Sequence, residues 1–296
     1  MRIALVTTSF PADEGDPSGH FVRAEARELE RQGHEVVVVA PPSGGAFGWP
    51  GVAARVRERP ARVLDAARWV MAARSRLAGI EAQRVVAHWA VPCAWPVAMA
   101  SAAELELVSH GGDVRLLRRM PGVLRERVVG AIAARAMTWR FVSEALKESL
   151  LERLHESVRT RVARIAVVGA AVLEMPDVRE AVTRKRRELG AARVAVSVGR
   201  LVRSKRVDRA IEHVARTREV DVLIVVGDGP ERGRLEALAH AREVDARFVG
   251  RLPREEALVW IGAASVLLFA SEREGASTVL REAAAMGTPV VVVTGA

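Results

Sequence analysis

Two glutamates eight residues apart, Glu274 and Glu282, bracket the densest cluster of chemistry-bearing residues in the chain. They lie in the run Ser271-Glu272-Arg273-Glu274-Gly275-Ala276-Ser277-Thr278-Val279-Leu280-Arg281-Glu282, which is followed by Gly287-Thr288-Pro289. The apolar residues Val266 to Ala270 read as a strand and those from Ser277 onward as a helix, so an acidic, Gly-containing loop separates a strand end from a helix start. The N–H groups of a helix's first turn point outward without intrahelical partners and suit an anion such as a diphosphate. One carboxylate in the loop and one just over a turn into the helix can each accept hydroxyls, one from a sugar and one from a ribose. A single Glu at a helix start is ordinary dipole chemistry. The pair, the Gly loop, the Ala-rich helix and Gly-Thr-Pro together are specific.

A second signal is Gly199-Arg200-Leu201-Val202-Arg203-Ser204-Lys205, directly after an apolar strand. Two cations leaving a strand end can hold a diphosphate, the guanidinium in bidentate fashion and the ammonium as a point charge. Basic loops are also common in so Arg-rich a protein. A third signal is Ser109-His110-Gly111-Gly112-Asp113, where a histidine beside glycines can donate a hydrogen bond or move a proton. A lone histidine is more often structural, and His88 at the preceding strand end shares that ambiguity. His20 reads only as a neighbour of the site.

The elements that carry these residues follow from periodicity. Arg2 to Thr8 is a buried strand, Ser9 to Gly19 a polar loop, and the helix after it sets Phe21, Val22, Ala26 and Leu29 on one face before Gly33. With the strand Glu35 to Ala40 this makes a βαβ unit, hence a parallel sheet. Arg55 to Leu77 reads as one long basic helix, Arg84 to His88 and Glu106 to Ser109 as strands, 121–137 and 144–159 as helices, and Arg140 to Ser143 and Arg164 to Val168 as strands. A mixed, charged stretch over 171–190 reads as a connection. Strand and helix then alternate from Arg193 to Val293. The fold class is α/β with two Rossmann-like doubly wound parallel sheets. Histidines and cations fall at the carboxyl ends of strands, where such sheets take their ligands.

Composition narrows the class. The chain has 296 residues, half of them apolar, and a single cysteine, Cys93, so no internal disulfide forms and a cytoplasmic setting is expected. No uncharged apolar run approaches the ~20 residues of a membrane span. The net charge is +9. Before residue 191 there are 29 basic against 22 acidic residues, and from 191 onward 16 against 14. The excess is arginine, which fits either a compositional bias or attraction to anionic lipid or a phosphate-bearing acceptor. No Gly-x-Gly-x-x-Gly follows the first strand, which argues against a dinucleotide enzyme. No aromatic-interleaved basic patch supports nucleic-acid binding. No metal-ligating cluster is visible and no cofactor is expected.

Along nearly its whole length the chain resembles retaining GT-B glycosyltransferases of the family-4 class. The resemblance is carried by the Pro/Gly first loop with Gly19-His20 and Arg23, the segment 33–39, HWAVP at 88–92, HGGD at 110–113, VSE at 142–144, Gly199-Arg200-Leu201 with Lys205, GDGP at 227–230, FVGRLP at 248–253, and E-x7-E with GTPVV. It implies that Arg200 and Lys205 hold the donor diphosphate, that Glu282 takes the ribose and Glu274 the sugar hydroxyls, and that Gly275, Ala276, Ser277, Thr278 and Val279 touch sugar and phosphates. It further implies that His110 lies beside the reacting sugar, that Arg251 and Leu252 line the base, and that Gly15 and Gly19 approach the phosphates. The implied domains are an N-terminal acceptor-side domain at 1–170, a connection at 171–190, and a nucleotide-sugar-binding domain at 191–296.

Such an enzyme transfers a glycosyl group from a nucleotide-diphosphate sugar to an acceptor hydroxyl with retention. The implied acceptor is a sugar or lipid-linked molecule of the cell envelope, reached by peripheral contact with anionic membrane at its inner face. The chain departs from the family where Val168-Gly169-Ala170-Ala171-Val172 stands in place of Asn-Gly-Val-Asp, and the loop after Glu274 lacks the usual aromatic or Pro-Asn. The family's pattern also leads one to expect later strands and a helix crossing back, so the second domain reads as incomplete. A sugar-nucleotide epimerase of the same architecture and a non-catalytic nucleotide-sugar-binding fragment remain as alternatives.

Overall fold

A computed structural model describes the chain apart from residues 14, 15, 17, 43, 49, 50, 272–276, 295 and 296. It divides into two compact units, residues 1–12 with 18–172 and residues 13–17 with 173–296.

The first unit is built on six parallel strands, β1 (Arg2–Val6), β2 (Glu35–Val39), β3 (Arg84–His88), β4 (Glu104–Ser109), β5 (Ala136–Phe141) and β6 (Ala166–Val168), in the order β2-β1-β3-β4-β5-β6. The strands are short runs of Val, Leu and Ala, and β1 and β3 are buried through almost their whole length, as a sheet covered on both faces requires. Ile3, Leu5, Leu105, Leu107, Trp139 and Phe141 are among its largest fully buried side chains. Each such aliphatic side chain contributes about 1.5–3 kcal/mol on burial.

Two helical readings need correction. The segment expected as one helix from Arg55 to Leu77 forms two, Val52–Glu58 and Arg62–Ala78, separated at Pro60, which has no N–H to donate. The stretch expected as one helix over 144–159 likewise forms Glu144–Leu151 and Glu156–Ile165. No helix among the described residues is long and apolar enough to cross a membrane.

The second unit holds five parallel strands, β7 (Val194–Val198), β8 (Val222–Val226), β9 (Ala246–Gly250), β10 (Val266–Phe269) and β11 (Val290–Val292), in the order β11-β10-β7-β8-β9. Alternation along the strands divides its core in two. Ala195, Leu223 and Val225 pack with Ile211 and Leu235 of the helices Val207–Thr217 and Arg232–Ala241. Val194, Val196, Ile224 and Val226 pack with Leu258, Ile261, Val279 and Ala283 on the opposite side. Val182 belongs to that second cluster. Within the stretch read as a connection, residues 171–190, the helix Arg179–Leu189 is therefore part of the second unit's packing. Its charged surface hid a single buried stripe. Arg186 also donates to the Gly262 carbonyl from Nε at 3.1 Å and from Nη2 at 2.7 Å.

Candidate functional site

In an open parallel sheet, the crevice for a ligand opens where successive crossovers leave a strand in opposite directions. In the first sheet that switch lies between β1 and β3. The loop after β1 is closed by its own backbone. Thr7 Oγ1 donates to the Ser9 carbonyl at 3.0 Å, and Gly19 sits at φ +71° with Ser9 pressed against it. A Cβ at Gly19 would stand 2.2 Å from that carbonyl oxygen, so only glycine fits. Gly19 thus closes the loop and opens the helix His20–Arg31. Gly15 lies outside the described residues.

The loops after β3 and β4 bring two histidines together. His88 Nδ1 stands 2.9 Å from His110 Nε2, and the two rings are stacked at 5.1 Å. Phe21 and Trp89 flank His110 at centroid distances of 4.7 and 5.0 Å. Burial, with the nearby Arg140 guanidinium, pushes the His88 pKa down to about 3. Burial, His88 and Arg140 push that of His110 well below its usual value. Both rings are therefore neutral, suited to hydrogen bonding with direction and unsuited to carrying charge.

Asp113 fixes the backbone around them. Its carboxylate accepts from Ala90 N at 2.8 Å, Ser109 Oγ at 2.6 Å and Gly111 N at 3.1 Å, while Trp139 Nε1 donates to Ser109 Oγ at 2.9 Å. Below His88, Glu25 and Arg140 form an ion pair, and Arg140 also stands 3.4 Å from Glu106. The roles of Asp113, Glu25 and Arg140 escaped the sequence reading. Glu25 had left a signal, because it falls on the same helix face as Phe21, Val22 and Leu29, where periodicity demands apolar residues.

In the second sheet the switch lies between β7 and β10. The loop after β7 carries Arg200 and Lys205, and the segment after β10 leads to Ser277, Thr278 and Val279. The sequence singled out these two connections, and the topology makes them neighbours. Ser271 Oγ donates to the Ser204 carbonyl at 3.3 Å, joining one to the other. The aliphatic stem of Lys205 lies beside Gly199 at the strand end, with Cδ and Cε 3.8 Å from where a Cβ would be. Two further cations of the loop are engaged by acids: Arg206 pairs with Asp208 at 3.1 Å, and Arg203 stands 3.5 Å from Glu231.

The cation loop rests on its neighbours. Gly199 N donates to Val226 O at 2.9 Å, Leu201 N to Asp228 O at 2.8 Å, and Gly227 N to Gly250 O at 2.7 Å. Gly227, at φ +136°, approaches so closely that a Cβ would fall 1.8 Å from the Gly199 carbonyl oxygen. At β10, Ser277 precedes the helix Thr278–Met286 in extended conformation, so the first-turn N–H groups of that helix begin at the same edge.

Glu282 is buried and receives Arg254 Nε at 3.2 Å and Nη2 at 3.1 Å, so its carboxylate is charge-balanced by a residue of another helix. Arg254 had not been singled out; it reads in sequence as one of many surface arginines. Arg251 follows the end of β9 and is exposed, whereas Leu252 packs against the cluster that contains Leu258 and Ile261. Glu274, Gly275 and Ala276 lie outside the described residues. Among the described residues, no group of three His, Cys, Asp or Glu side chains could hold a metal ion.

Comparison with known proteins supplies independent findings. Residues 178–295 match the family model of glycosyl transferases group 1. The chain is 24% identical over 328 residues to a Bacillus subtilis (strain 168) protein assigned as the teichuronic acid biosynthesis glycosyltransferase TuaC, covering 98% of this chain and 80% of that protein. It is 24% identical over 311 residues to N-acetyl-alpha-D-glucosaminyl L-malate synthase of Bacillus anthracis, covering 98% of this chain and 78% of that one. Among solved structures, Anabaena HepE in complex with UDP superimposes with a TM-score of 0.66 at 16% identity, covering 98% of this chain and 80% of that one. That last likeness speaks for the fold, two parallel α/β sheets of GT-B type.

Proposed function

We propose that the chain, whose residues 178–295 match the glycosyl transferases group 1 model, moves a glycosyl group from a nucleotide-diphosphate sugar to an acceptor hydroxyl with retention, in the synthesis of a cell-envelope polysaccharide or glycolipid. The observation that supports this best is the second sheet's switch point, where the Arg200–Lys205 loop and the segment leading to the helix Thr278–Met286 follow two neighbouring parallel strands. The relatives are named for teichuronic acid biosynthesis and for N-acetyl-alpha-D-glucosaminyl L-malate synthesis, and the HepE structure holds UDP, which favours a nucleotide diphosphate as the leaving group.

In this reading Arg200, Lys205 and the amides of Ser277, Thr278 and Val279 receive the diphosphate. Gly15, Gly19, Gly275 and Ala276 allow its close approach, Glu282 and Glu274 accept ribose and sugar hydroxyls, and Arg251 and Leu252 border the base. The acceptor oxygen bonds to the anomeric carbon on the face from which the diphosphate leaves, and the acceptor proton passes to a departing phosphate oxygen. Charge builds on that phosphate, so each well-placed donor there lowers the barrier by about 3–4 kcal/mol. His110, neutral and ringed by Phe21 and Trp89, hydrogen-bonds the sugar rather than carrying charge. No metal or cofactor is needed in this scheme, because side-chain cations take the charge.

The acceptor is read as lipid-linked, with the first unit touching an anionic membrane peripherally. Val63, Leu64 and Met71 on the helix Arg62–Ala78, and Leu116, Val123 and Leu124 near Arg115, Arg118 and Arg119, are exposed apolar residues among arginines. One experiment tests the whole. A panel of UDP-, GDP- and ADP-sugars is screened by thermal shift, and transfer is then assayed with a polyprenyl-linked acceptor, with and without anionic vesicles. The expected result is stabilisation by one donor class, a product of unchanged anomeric configuration, and a faster rate with vesicles. No shift with any donor, or epimer formed without acceptor, overturns the reading.

A further inference from the structure

Beneath the histidine pair, three buried atoms have no hydrogen-bond partner among the described residues: His88 Nε2, Glu25 Oε2 and Arg140 Nε. Buried polar atoms left unmatched are rare in folded proteins and call for a physical account. Here Glu25 stands between the other two residues, in contact with each. Glu25 Oε1 pairs with Arg140, and Glu25 Oε2 stands 3.9 Å from His88 Nε2, beyond hydrogen-bond length. His88 Nδ1 then meets His110 Nε2 at 2.9 Å.

Both rings are neutral, so each has one N–H and one bare nitrogen. Only two arrangements give the short contact its hydrogen. If His88 Nδ1 carried the proton, its buried Nε2 lone pair would face the Glu25 carboxylate, a repulsive pairing. If His88 carries its proton on Nε2, an N–H dipole faces the carboxylate, His88 Nδ1 accepts, and His110 Nε2 must donate. Arg140 weakens this preference through its charge, but its Nη2 is held by Glu25 Oε1 and Glu106, and the polar atom set against His88 Nε2 is Glu25 Oε2 at 3.9 Å.

We infer that Glu25 and His88 are positioning residues that fix His110 as the Nε2–H tautomer, leaving its Nδ1 as an acceptor for a hydroxyl of the sugar substrate. The substrate hydroxyl rests on the transferase reading above; the tautomer does not. Second-layer partners of this kind orient a histidine and set which nitrogen is bare, as they do for histidines that bind metals.

The tautomer is read directly by two-bond 15N–1H correlation spectroscopy on the full chain. Wild type is expected to show His110 protonated at Nε2 and bare at Nδ1. In Glu25→Gln the amide can donate to His88 Nε2 and reverse the relay, so His110 Nδ1–H should appear. In His88→Phe the kcat for transfer should fall roughly 10–100-fold with little change in donor KM. Finding His110 protonated at Nδ1 in wild type, or the same tautomer in wild type and folded Glu25→Gln, overturns the inference. If Glu25→Gln does not fold, the wild-type spectrum still decides. The expected tautomer in a chain that transfers nothing would sink the transferase reading and leave the relay standing.

Discussion

At the carboxyl edge of the first sheet the polar groups are buried or half-buried, neutral or paired internally, and His110 is flanked by Phe21 and Trp89. At the same edge of the second sheet they are cations on a partly exposed loop. Both edges arise from one topological device, a switch point in a parallel sheet, yet they recognise by different physics. The first depends on the direction of hydrogen bonds in a low-dielectric setting, where leaving a group unmatched is costly. The second depends on charge, which tolerates small displacements but weakens with salt.

The sharpest way to break this contrast is at Asp113. Asp113→Ala strands three donors in the first unit, and an expected loss of about 3–5 kcal/mol follows from leaving charge-assisted hydrogen bonds unmade. Urea unfolding monitored by tryptophan fluorescence should show it, with donor affinity of the folded fraction unchanged. A loss below about 1 kcal/mol would mean that water replaces the carboxylate, and that the first edge is wetter than described.

The second edge should behave oppositely. Replacing Arg200 and Lys205 together by Ala is expected to weaken donor binding roughly 100-fold, at about 1.5 kcal/mol for each charge-assisted contact, with little effect on unfolding. By calorimetry, raising salt from about 0.05 to 0.5 M should weaken wild-type binding and scarcely alter that of the double variant. Equal salt dependence in both proteins would remove these cations from diphosphate binding.

A smaller effect separates the edges by pH. In the unfolded chain histidines protonate near 6.5, whereas folding holds His88 down to about 3 and His110 well below its usual value. Between those limits the unfolded chain binds more protons, so stability rises with pH. It is lost as pH falls below about 6.5, by at most about 1.4 kcal/mol per pH unit for each imidazole. Unfolding at pH 7 and pH 5 should therefore show a flatter dependence for His88→Phe than for wild type. Parallel curves would mean that the rings are hydrated and protonate freely.

Much of this contrast is legible in the sequence, and unevenly so. Motifs at strand ends locate the cation loop, the histidine loop and the helix start at Ser277, because strand-loop-helix punctuation is local. Breaks such as Pro60 were visible but outweighed by a continuous basic pattern. Glu25 and Arg140 were out of reach as a pair, since they are separated by 115 residues and meet only when β5 is placed three strands from β1. Arg254 and Glu282 are likewise joined only by the packing of two helices. Charged residues on faces that periodicity marks as buried were the available clue, and they point to pairing without naming the partner.

The contact between Gly227 and the Gly199 carbonyl has one more consequence. Main chain lies on main chain there, so the height of the cation loop above its sheet is set when the strands assemble, before any ligand arrives. Little ordering entropy is left to be lost at binding. Side chains such as Arg203 can be exchanged to retune what the loop prefers, while a single methyl group at residue 227 would lift the entire frame on which those preferences are hung.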